Sequence, residues 1–208
     1  MSRRSLKIFD FCFTLVDCNT TNELLKYALA SCGLSRRAWI IFVAAVARLI
    51  AFALPRRRLN EVWVTAAFTA MPGSDFRCLV EGFVDEVLID KTNWELFKIL
   101  KSLSGSDEAL ICTNTYQQVV ECYIKKMDLD CACIGSRLSS SKHQLVFGLS
   151  THVLKEGKLL IINREYGDVH INAFWTDDIV ADRDVVSAAD ITYVVGTNGK
   201  VNDVIFPK

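Results

Sequence analysis

The sequence has no excess of charge of either sign, no CxxC pair, no internal repeat and no low-complexity tract. Its 24 lysine and arginine residues balance 24 aspartate and glutamate residues, so the chain has no overall attraction for nucleic acid. With 51% hydrophobic and 23% charged residues, the composition excludes intrinsic disorder, collagen and a coiled coil. We therefore expect the 208 residues to fold as one domain, or as one domain with a large insertion.

The eight cysteines form no pattern that is typical of disulfides or metal sites. The chain is larger than the small secreted domains that need disulfides, and several cysteines lie in apolar runs, where a free thiol behaves as a small hydrophobe. Cys131 and Cys133 would point to opposite faces of a strand, which argues against a shared metal. Asp10 interrupts the first apolar stretch and no small-residue cleavage site follows, so no signal peptide is expected. These features indicate free thiols and a cytoplasmic location.

Residues 38–54 form an apolar run of seventeen residues in which Arg48 is the only charge, and basic residues flank it on both sides. Seventeen residues is the lower limit for a membrane-spanning helix, and a central arginine costs about 2.5–3.5 kcal/mol on insertion. Three interpretations remain open. The run is a helix buried in a subdomain or a homodimer contact, a helix that lies on the inner face of a membrane through residues 36–58, or a true span.

Hydrophobic spacing indicates an α/β organisation at both ends of the chain and an all-helical middle. Apolar runs predict strands at 6–9, 109–112, 131–134, 169–175 and 191–195, and helical spacing predicts helices at 19–31, 60–70, 74–86, 92–103 and 116–127. Ser74 or Asp75 is expected to cap the third of these helices, and Thr92 with Glu95 to form a capping box on the fourth. Strands that alternate with helices predict a parallel sheet, and residues 16–90 then form an insertion after the first strand.

Polar side chains follow the predicted strands at the end where α/β sheets bind ligands. Asp10 follows the first strand, Thr113 and Asn114 follow the second, and residues 176–182 bring three aspartates after the fourth. Lys158 opens a helix after Gly157. Neighbouring carboxylates repel each other unless they share a cation, and oxygen ligands suit Mg²⁺. A lysine and a threonine suit a phosphoryl group, and an aspartate can form an aspartyl-phosphate.

These motifs resemble those of the haloacid dehalogenase superfamily of phosphatases. Residues 8–16, Ile-Phe-Asp-Phe-Cys-Phe-Thr-Leu-Val, are similar to its first motif, hydrophobic residues followed by DxDGT(L/V). Thr113 matches the second motif, Lys158 the third, and residues 177–182 the fourth, GDxxxD. The resemblance implies a Rossmann-like core with helices on both faces, formed by 1–15 and 91–208, and a helical type 1 cap over 16–90.

Two further stretches, residues 68–74 and 134–138, resemble the phosphoserine-phosphatase-like branch of the superfamily. Within this branch, bacterial relatives that act on phosphatidylglycerophosphate have a similarly apolar cap. The resemblance implies a Mg²⁺ ion held by the side chains of Asp10 and Asp178 and by the backbone carbonyl of Cys12. Asp177 would be a ligand only if the loop shifted by one residue.

The resemblance also implies a role for each catalytic position. Asp10 would be the nucleophile, Cys12 would occupy the acid–base position, Thr113 and Lys158 would bind the phosphoryl group, and Asp182 would orient the site or hold Lys158. Thr14, Asn114 and Asn19 are the expected substrate-binding residues.

Three departures from the family pattern bear on activity. Cys12 stands where the family has an acid–base aspartate, and a thiol with an ordinary pKa near 8.5 is a poor acid for an alkoxide. General acid–base catalysis is worth about 10²–10⁴-fold, so turnover is expected to be slow. Phe13 replaces a glycine. Asn19 replaces the glutamate that contacts the amine of phosphoserine, which argues against that substrate.

The sequence therefore predicts a slow Mg²⁺-dependent phosphatase or phosphotransferase that acts on a phosphomonoester, with a lipid-linked phosphate or a sugar phosphate as the open alternatives. A different class of function is a degenerate member of the superfamily that binds a phosphorylated ligand or partner without turnover. A third is a membrane-surface scaffold that uses residues 36–58.

Overall fold

The computed structural model describes residues 4–50, 66–69, 71–105, 108–140, 146–151 and 153–206. Seven strands form one sheet with the order β4-β3-β2-β1-β5-β6-β7. The central five strands are parallel, and the two edge strands, β4 and β7, pair antiparallel with their neighbours. The strands are β1 Ser5–Phe9, β2 Ala109–Tyr116, β3 Ala132–Ser140, β4 Val146–Thr151, β5 His170–Thr176, β6 Ala189–Val195 and β7 Val201–Ile205.

Eight α-helices with defined bounds join these strands: α1 Thr20–Ser31, α2 Leu34–Ile50, α3 Gly73–Phe83, α4 Trp94–Ser102, α5 Gln117–Lys126, α6 Val153–Glu156, α7 Lys158–Tyr166 and α8 Arg183–Ala188. A π-helical turn, Val84–Leu88, and a 3₁₀ turn, Ile89–Lys91, continue α3. The described part of residues 16–90 is thus largely helical. The division of the chain into a core and a cap stays a prediction.

Two hydrophobic clusters cover the two faces of the sheet. Side chains alternate along β1, so Leu6 and Ile8 pack in one cluster with α7, while Phe9 packs in the other with helices α1 to α5. A parallel sheet that is buried on both faces needs this double cover. The predicted α/β fold class, a parallel sheet with helices on both faces, is confirmed.

The predicted strands are all present, and two of them extend well past their predicted carboxyl ends. Strand β2 continues from Cys112 to Tyr116, and β3 continues from Ile134 to Ser140. Strands β4 and β7 were not predicted from the sequence. Four of the five residues of β7 are exposed, so the strand lacks the apolar alternation that would have marked it.

The predicted caps of two helices are wrong. Helix α3 begins at Gly73, and Ser74 lies inside its first turn, where its hydroxyl donates to Asp75. Helix α4 is capped by Asn93, whose side chain accepts from the backbone N–H of Leu96. Thr92 cannot serve there because it is buried and its hydroxyl bonds to the hydroxyl of Tyr123.

Helix α2 begins four residues before the predicted apolar run and packs one side on the core. Ile40 and Val43 are buried, whereas Ile41 and Phe42 on the same turn are 60% and 58% exposed. Within the described ranges, no helix has both the length and the apolar character to cross a membrane. Residues 51–58, which carry the second basic flank, and 60–65 of the predicted second helix lie outside the described residues. All eight cysteines are free, as predicted.

We expect Gly135→Ala to destabilise the fold, because a Cβ atom at Gly135 would lie 2.8 Å from the Cα of Gln117 and 2.9 Å from the carbonyl oxygen of Thr115. Backbone atoms cannot give way as a flexible side chain can, so the free energy of unfolding should fall by about 1–3 kcal/mol. Gly33→Ala is the control, since no atom lies within 4 Å of a Cβ there, and it should change stability by less than about 0.5 kcal/mol. Urea unfolding measures both, and equal losses would contradict the expectation.

Candidate functional site

Asp10 lies directly after β1, the central strand, between β2 and β5. Its backbone N–H donates to the carbonyl oxygen of Trp175 at 2.8 Å, which fixes it beside the end of β5. The side chain is buried, and its Oδ1 accepts from the backbone N–H of Phe11 at 2.8 Å and from Lys158 Nζ at 3.0 Å. These contacts all use Oδ1, so Oδ2 is the oxygen left for other partners.

Lys158 is the first residue of α7, and its ammonium group lies beside the carboxylate of Asp10. Gly157 precedes it with φ +94°, a conformation that favours glycine and turns the chain sharply into the helix. The buried ammonium lies 3.0 Å from Asp10 Oδ1 and 2.8 Å from Asp182 Oδ2. One lysine therefore joins the predicted nucleophile to the last aspartate of the predicted fourth motif.

Asp182 lies in the loop after β5 and is held by a hydroxyl that the sequence analysis did not assign. Thr176 Oγ1 donates to Asp182 Oδ2 at 2.7 Å and accepts from the backbone N–H of Asp178 at 3.1 Å. Asp178 Oδ1 accepts from the backbone N–H groups of Val180 and Ala181, which closes the turn. Thr176 could have been found from sequence as the last polar residue of the strand that precedes the acidic loop.

The site contains more carboxylate groups than ammonium groups. Burial raises the pKa of Asp10, and the Lys158 ammonium only partly opposes this. Burial, reinforced by the Asp10 carboxylate, raises the pKa of Asp182 to about 6. Burial alone would lower the pKa of Lys158, but Asp10 and Asp182 outweigh it and the net shift is upward, so the ammonium stays charged. Asp177 has a raised pKa, through burial and then through its acidic neighbours.

The excess of carboxylates over ammonium groups bears on the predicted magnesium site. Among the described residues, no group of three or more histidine, cysteine, aspartate or glutamate side chains converges as a metal cluster. The predicted ligand set differs from such a cluster, because it has two carboxylates and a backbone carbonyl. Asp10 and Asp177 raise each other's energy when both are ionised, and a hard cation would relieve that repulsion. The predicted ligands themselves are carboxylate and carbonyl oxygens, the donors that Mg²⁺ prefers, so their chemistry fits this ion.

Cys12 occupies a polar position at the start of α1. Its Sγ lies 3.0 Å from Thr20 Oγ1, and Thr20 Oγ1 in turn donates to Thr115 Oγ1 at 2.6 Å. The thiol and the hydroxyl of Thr20 are thus in hydrogen-bond contact, and either group can be the donor. Burial, followed by the Asp10 carboxylate, raises the pKa of Cys12 to about 11. Cys12 is therefore a protonated thiol near neutral pH.

The two residues predicted from the second motif lie inside β2, since this strand is longer than predicted. Thr113 Oγ1 is buried and accepts from the backbone N–H of Thr115 at 3.3 Å. The carbonyl oxygen of Asn114 accepts from Ser136 Oγ at 3.0 Å. In the described parts of the chain, no hydrogen bond joins either residue to Asp10 or Lys158, and their predicted roles at the site stay predictions.

The remaining predicted residues follow Asp10 along the chain. Phe13 has φ +55° and its side chain is 44% exposed, so it turns outward instead of crowding the nucleophile. Thr14 Oγ1 is buried without a hydrogen-bond partner in the described chain. Asn19 caps α1 by accepting from the backbone N–H of Asn22 at 3.0 Å, so its side chain is committed to the helix.

Asn93 is a further residue that the sequence analysis missed. Its Nδ2 donates to the carbonyl oxygen of Thr14 at 3.0 Å and to that of Gly199 at 2.7 Å, while its backbone N–H donates to the carbonyl oxygen of Leu15. It thereby ties the loop after Asp10 to α4 and to the β6–β7 turn. Its preference for helix N-caps was visible in the sequence, but its contacts to Thr14 and Gly199 were not.

We expect Lys158→Met to lower the free energy of unfolding more than Asp182→Asn does. Removing the lysine leaves two adjacent buried carboxylates unpaired and should lower the free energy of unfolding by about 3–5 kcal/mol. Asparagine at 182 can still accept from Lys158 and Thr176 and no longer repels Asp10, so the loss should be only about 1–2 kcal/mol. Urea unfolding at neutral pH without divalent cations measures the difference, and a larger loss for Asp182→Asn would contradict this account of the charges.

No protein-family model matches the sequence, and no curated protein matches it either. Solved structures do match its fold. A protein of unknown function from Bordetella pertussis Tohama I superposes with a TM-score of 0.73 at 15% identity, over 93% of this chain and 91% of that one. A phosphoserine phosphohydrolase-like protein from Francisella tularensis has a TM-score of 0.61 at 11% identity, over 94% and 88% of the two chains.

A phosphoserine phosphatase, solved as an analogue of its phospho-aspartyl intermediate, is also similar. Its TM-score is 0.53 at 18% identity, over 93% of this chain and 87% of the phosphatase. At such low identity these likenesses establish architecture alone. The chain has the Rossmann-like α/β fold found in phosphatases of the haloacid dehalogenase type.

Proposed function

We propose that the protein is a Mg²⁺-dependent phosphatase or phosphotransferase that acts on phosphomonoesters through an aspartyl-phosphate on Asp10. The observation that carries this proposal is the buried Lys158 ammonium, 3.0 Å from Asp10 and 2.8 Å from Asp182, at the carboxyl ends of the parallel strands. The fold shared with phosphoserine phosphatases supports a phosphatase-type activity. A lysine in this position can bind a phosphoryl oxygen without losing its carboxylate partners.

In the first step, a carboxylate oxygen of Asp10 attacks the phosphorus and the bond from phosphorus to the leaving oxygen breaks. Oδ2 is the suitable atom, because Oδ1 already accepts from Phe11 and Lys158. Lys158 offsets part of the charge that accumulates on the phosphoryl oxygens. In the second step, water attacks the phosphorus of the aspartyl-phosphate, which releases phosphate and restores the carboxylate. An alcohol in place of water would give transfer.

The side chains of Asp10 and Asp178 and the backbone carbonyl of Cys12 would hold the Mg²⁺ ion. When bound, this ion supplies positive charge that offsets the repulsion between the carboxylates and a phosphate dianion. Replacing the acid–base aspartate by cysteine leaves the backbone carbonyl in place. Asp182 contributes by fixing Lys158, and Thr176 by fixing Asp182.

Proton transfer is the weak point of this site. An alkoxide leaving group needs a proton, and the water of the second step must lose one. The Cys12 thiol is in contact with the Thr20 hydroxyl, and with a pKa of about 11 it does not ionise near neutral pH. We therefore propose slow turnover, fastest with leaving groups that depart without a proton, such as nitrophenolate or acetate.

The thiol of Cys12 at the acid–base position also favours a second candidate, a protein that binds a phosphorylated ligand or partner and does not release phosphate. Contact with a membrane surface through residues 36–58, and homodimer formation, stay predictions. The Asp10 variant described next separates turnover from binding.

With Mg²⁺ and p-nitrophenyl phosphate or acetyl phosphate, we expect slow release of product that Asp10→Asn abolishes, because the amide cannot form the aspartyl-phosphate. Asp203→Asn, on the exposed edge strand, is the matched control and should keep full activity. Product release is followed by absorbance or by phosphate assay. Turnover that survives Asp10→Asn would refute the nucleophile. Absence of turnover with a phosphate-dependent thermal shift would favour the binding protein.

We expect Cys12→Asp to raise hydrolysis at least tenfold, which is less than the full contribution of about 10²–10⁴-fold that general acid–base catalysis makes. The new carboxylate would take the place of the thiol beside the hydroxyl of Thr20 at the start of α1, where an acceptor is well placed. Cys12→Ser is the control, since a hydroxyl of similar size cannot act as an acid near neutral pH. Steady-state rates measure the effect, and equal rates for the two variants would show that this position takes no part in proton transfer.

A further inference from the structure

A cavity of about 630 Å³ lies beside the segment that joins β1 to α1. Its volume is within the range of small-molecule sites, about 300–1,000 Å³. Phe13, three residues after Asp10, forms part of its lining, so the cavity adjoins the loop that carries the proposed nucleophile. None of the predicted charged site residues lines it. The cavity is therefore suited to hold the part of a substrate that is not transferred.

One side of the cavity is aliphatic. Leu25 and Leu29 of α1 face it together with Ile40, Ile41 and Ala45 of α2. Ile40 is only 1% exposed and belongs to the core, whereas Ile41 is 60% exposed at the opening. A hydrocarbon chain in the cavity would remove Ile41 from water, which is favourable, while a sugar would find few hydrogen-bonding partners on this side.

The polar side of the cavity carries no net charge that would select a charged alcohol. Its two acidic residues, Asp17 and Glu23, are balanced by the two basic residues Lys26 and Lys91. Glu23 and Lys26 form an ion pair of 2.6 Å. Asn19, at the position that the family uses for an amine, already caps α1.

We infer that the cavity binds the leaving alcohol of the substrate, and that this alcohol is uncharged and largely aliphatic. The inference rests on the proposed function and chooses between the alternatives that the sequence left open: an aliphatic phosphomonoester is favoured over a sugar phosphate. Ile41 is then a residue that determines specificity. Phe13, through its left-handed backbone, presents an aromatic ring to the same space.

The test measures binding, so it does not depend on turnover. Dissociation constants for ethyl, butyl, hexyl and octyl phosphate are determined by calorimetry with Mg²⁺, below the concentrations at which these compounds form micelles. A fully buried methylene is worth about fourfold in affinity. We expect affinity to rise at least tenfold from butyl to octyl phosphate, and octyl phosphate to bind more tightly than glucose 6-phosphate and phosphoserine.

Variants at two neighbouring positions distinguish binding in the cavity from non-specific binding to the exposed apolar surface of α2. Ile41→Asp should reduce the affinity for octyl phosphate to that for butyl phosphate. Phe42→Asp is the matched control, because Phe42 is 58% exposed on the same helix but does not line the cavity, and it should keep the chain-length dependence. Hydrolysis of p-nitrophenyl phosphate should proceed at an unchanged kcat in Phe42→Asp, which lies outside the cavity lining.

The outcomes distinguish the two proposals. Affinities that do not depend on chain length, or equal effects of the two variants, would overturn the aliphatic cavity even if p-nitrophenyl phosphate is hydrolysed. Chain-length dependence that Ile41→Asp removes would support the cavity even if no ester is turned over, and the failure would then lie with the proposed catalysis.

Discussion

The structure of the site depends on one buried ion cluster, in which a single ammonium group is shared by two carboxylates. Lys158, Asp10 and Asp182 come from the start of α7, the end of β1 and the loop after β5, and each is almost inaccessible to water. Burial of such charges is unfavourable unless partners are held in place, so these three elements must pack in one arrangement. The cluster therefore sets the geometry around the nucleophile and leaves net negative charge at the carboxyl ends of the strands.

Uncharged side chains around the ion cluster hold its residues and the loop after Asp10 in place. Thr176 fixes Asp182, and Asn93 holds the loop after Asp10 through two backbone carbonyl groups. The loop contains a left-handed Phe13, a conformation that costs a residue other than glycine about 1–2 kcal/mol. The contacts of Asn93 to the carbonyl oxygens of Thr14 and Leu15 hold this turn in place and offset part of that cost.

The polar residues that follow successive strands predicted that Asp10 meets the acidic loop of Asp182, because parallel strands end at one edge of a sheet. The resemblance to phosphatase motifs predicted that Lys158 joins them. The α/β class was predictable because short apolar runs alternate with segments of helical spacing, which is typical of a parallel sheet with helical connections. What could not be predicted depends on pairs far apart in sequence, such as Thr20 with Thr115, or on edge strands that bury little apolar surface, such as β7. The choice of Asn93 over Thr92 as a helix cap was decided by the burial of Thr92 against Tyr123, which local sequence does not reveal.

The hydroxyl bond between Thr20 and Thr115 has a consequence for motion. It joins the first turn of α1 to β2, and the sulfur of Cys12 depends on the same oxygen atom. If α1 moved away from the sheet, the bond between Thr20 and Thr115 and the contact of Thr20 with the Cys12 thiol would break together. The surroundings of the side chain two residues after Asp10 therefore depend on the position of this helix.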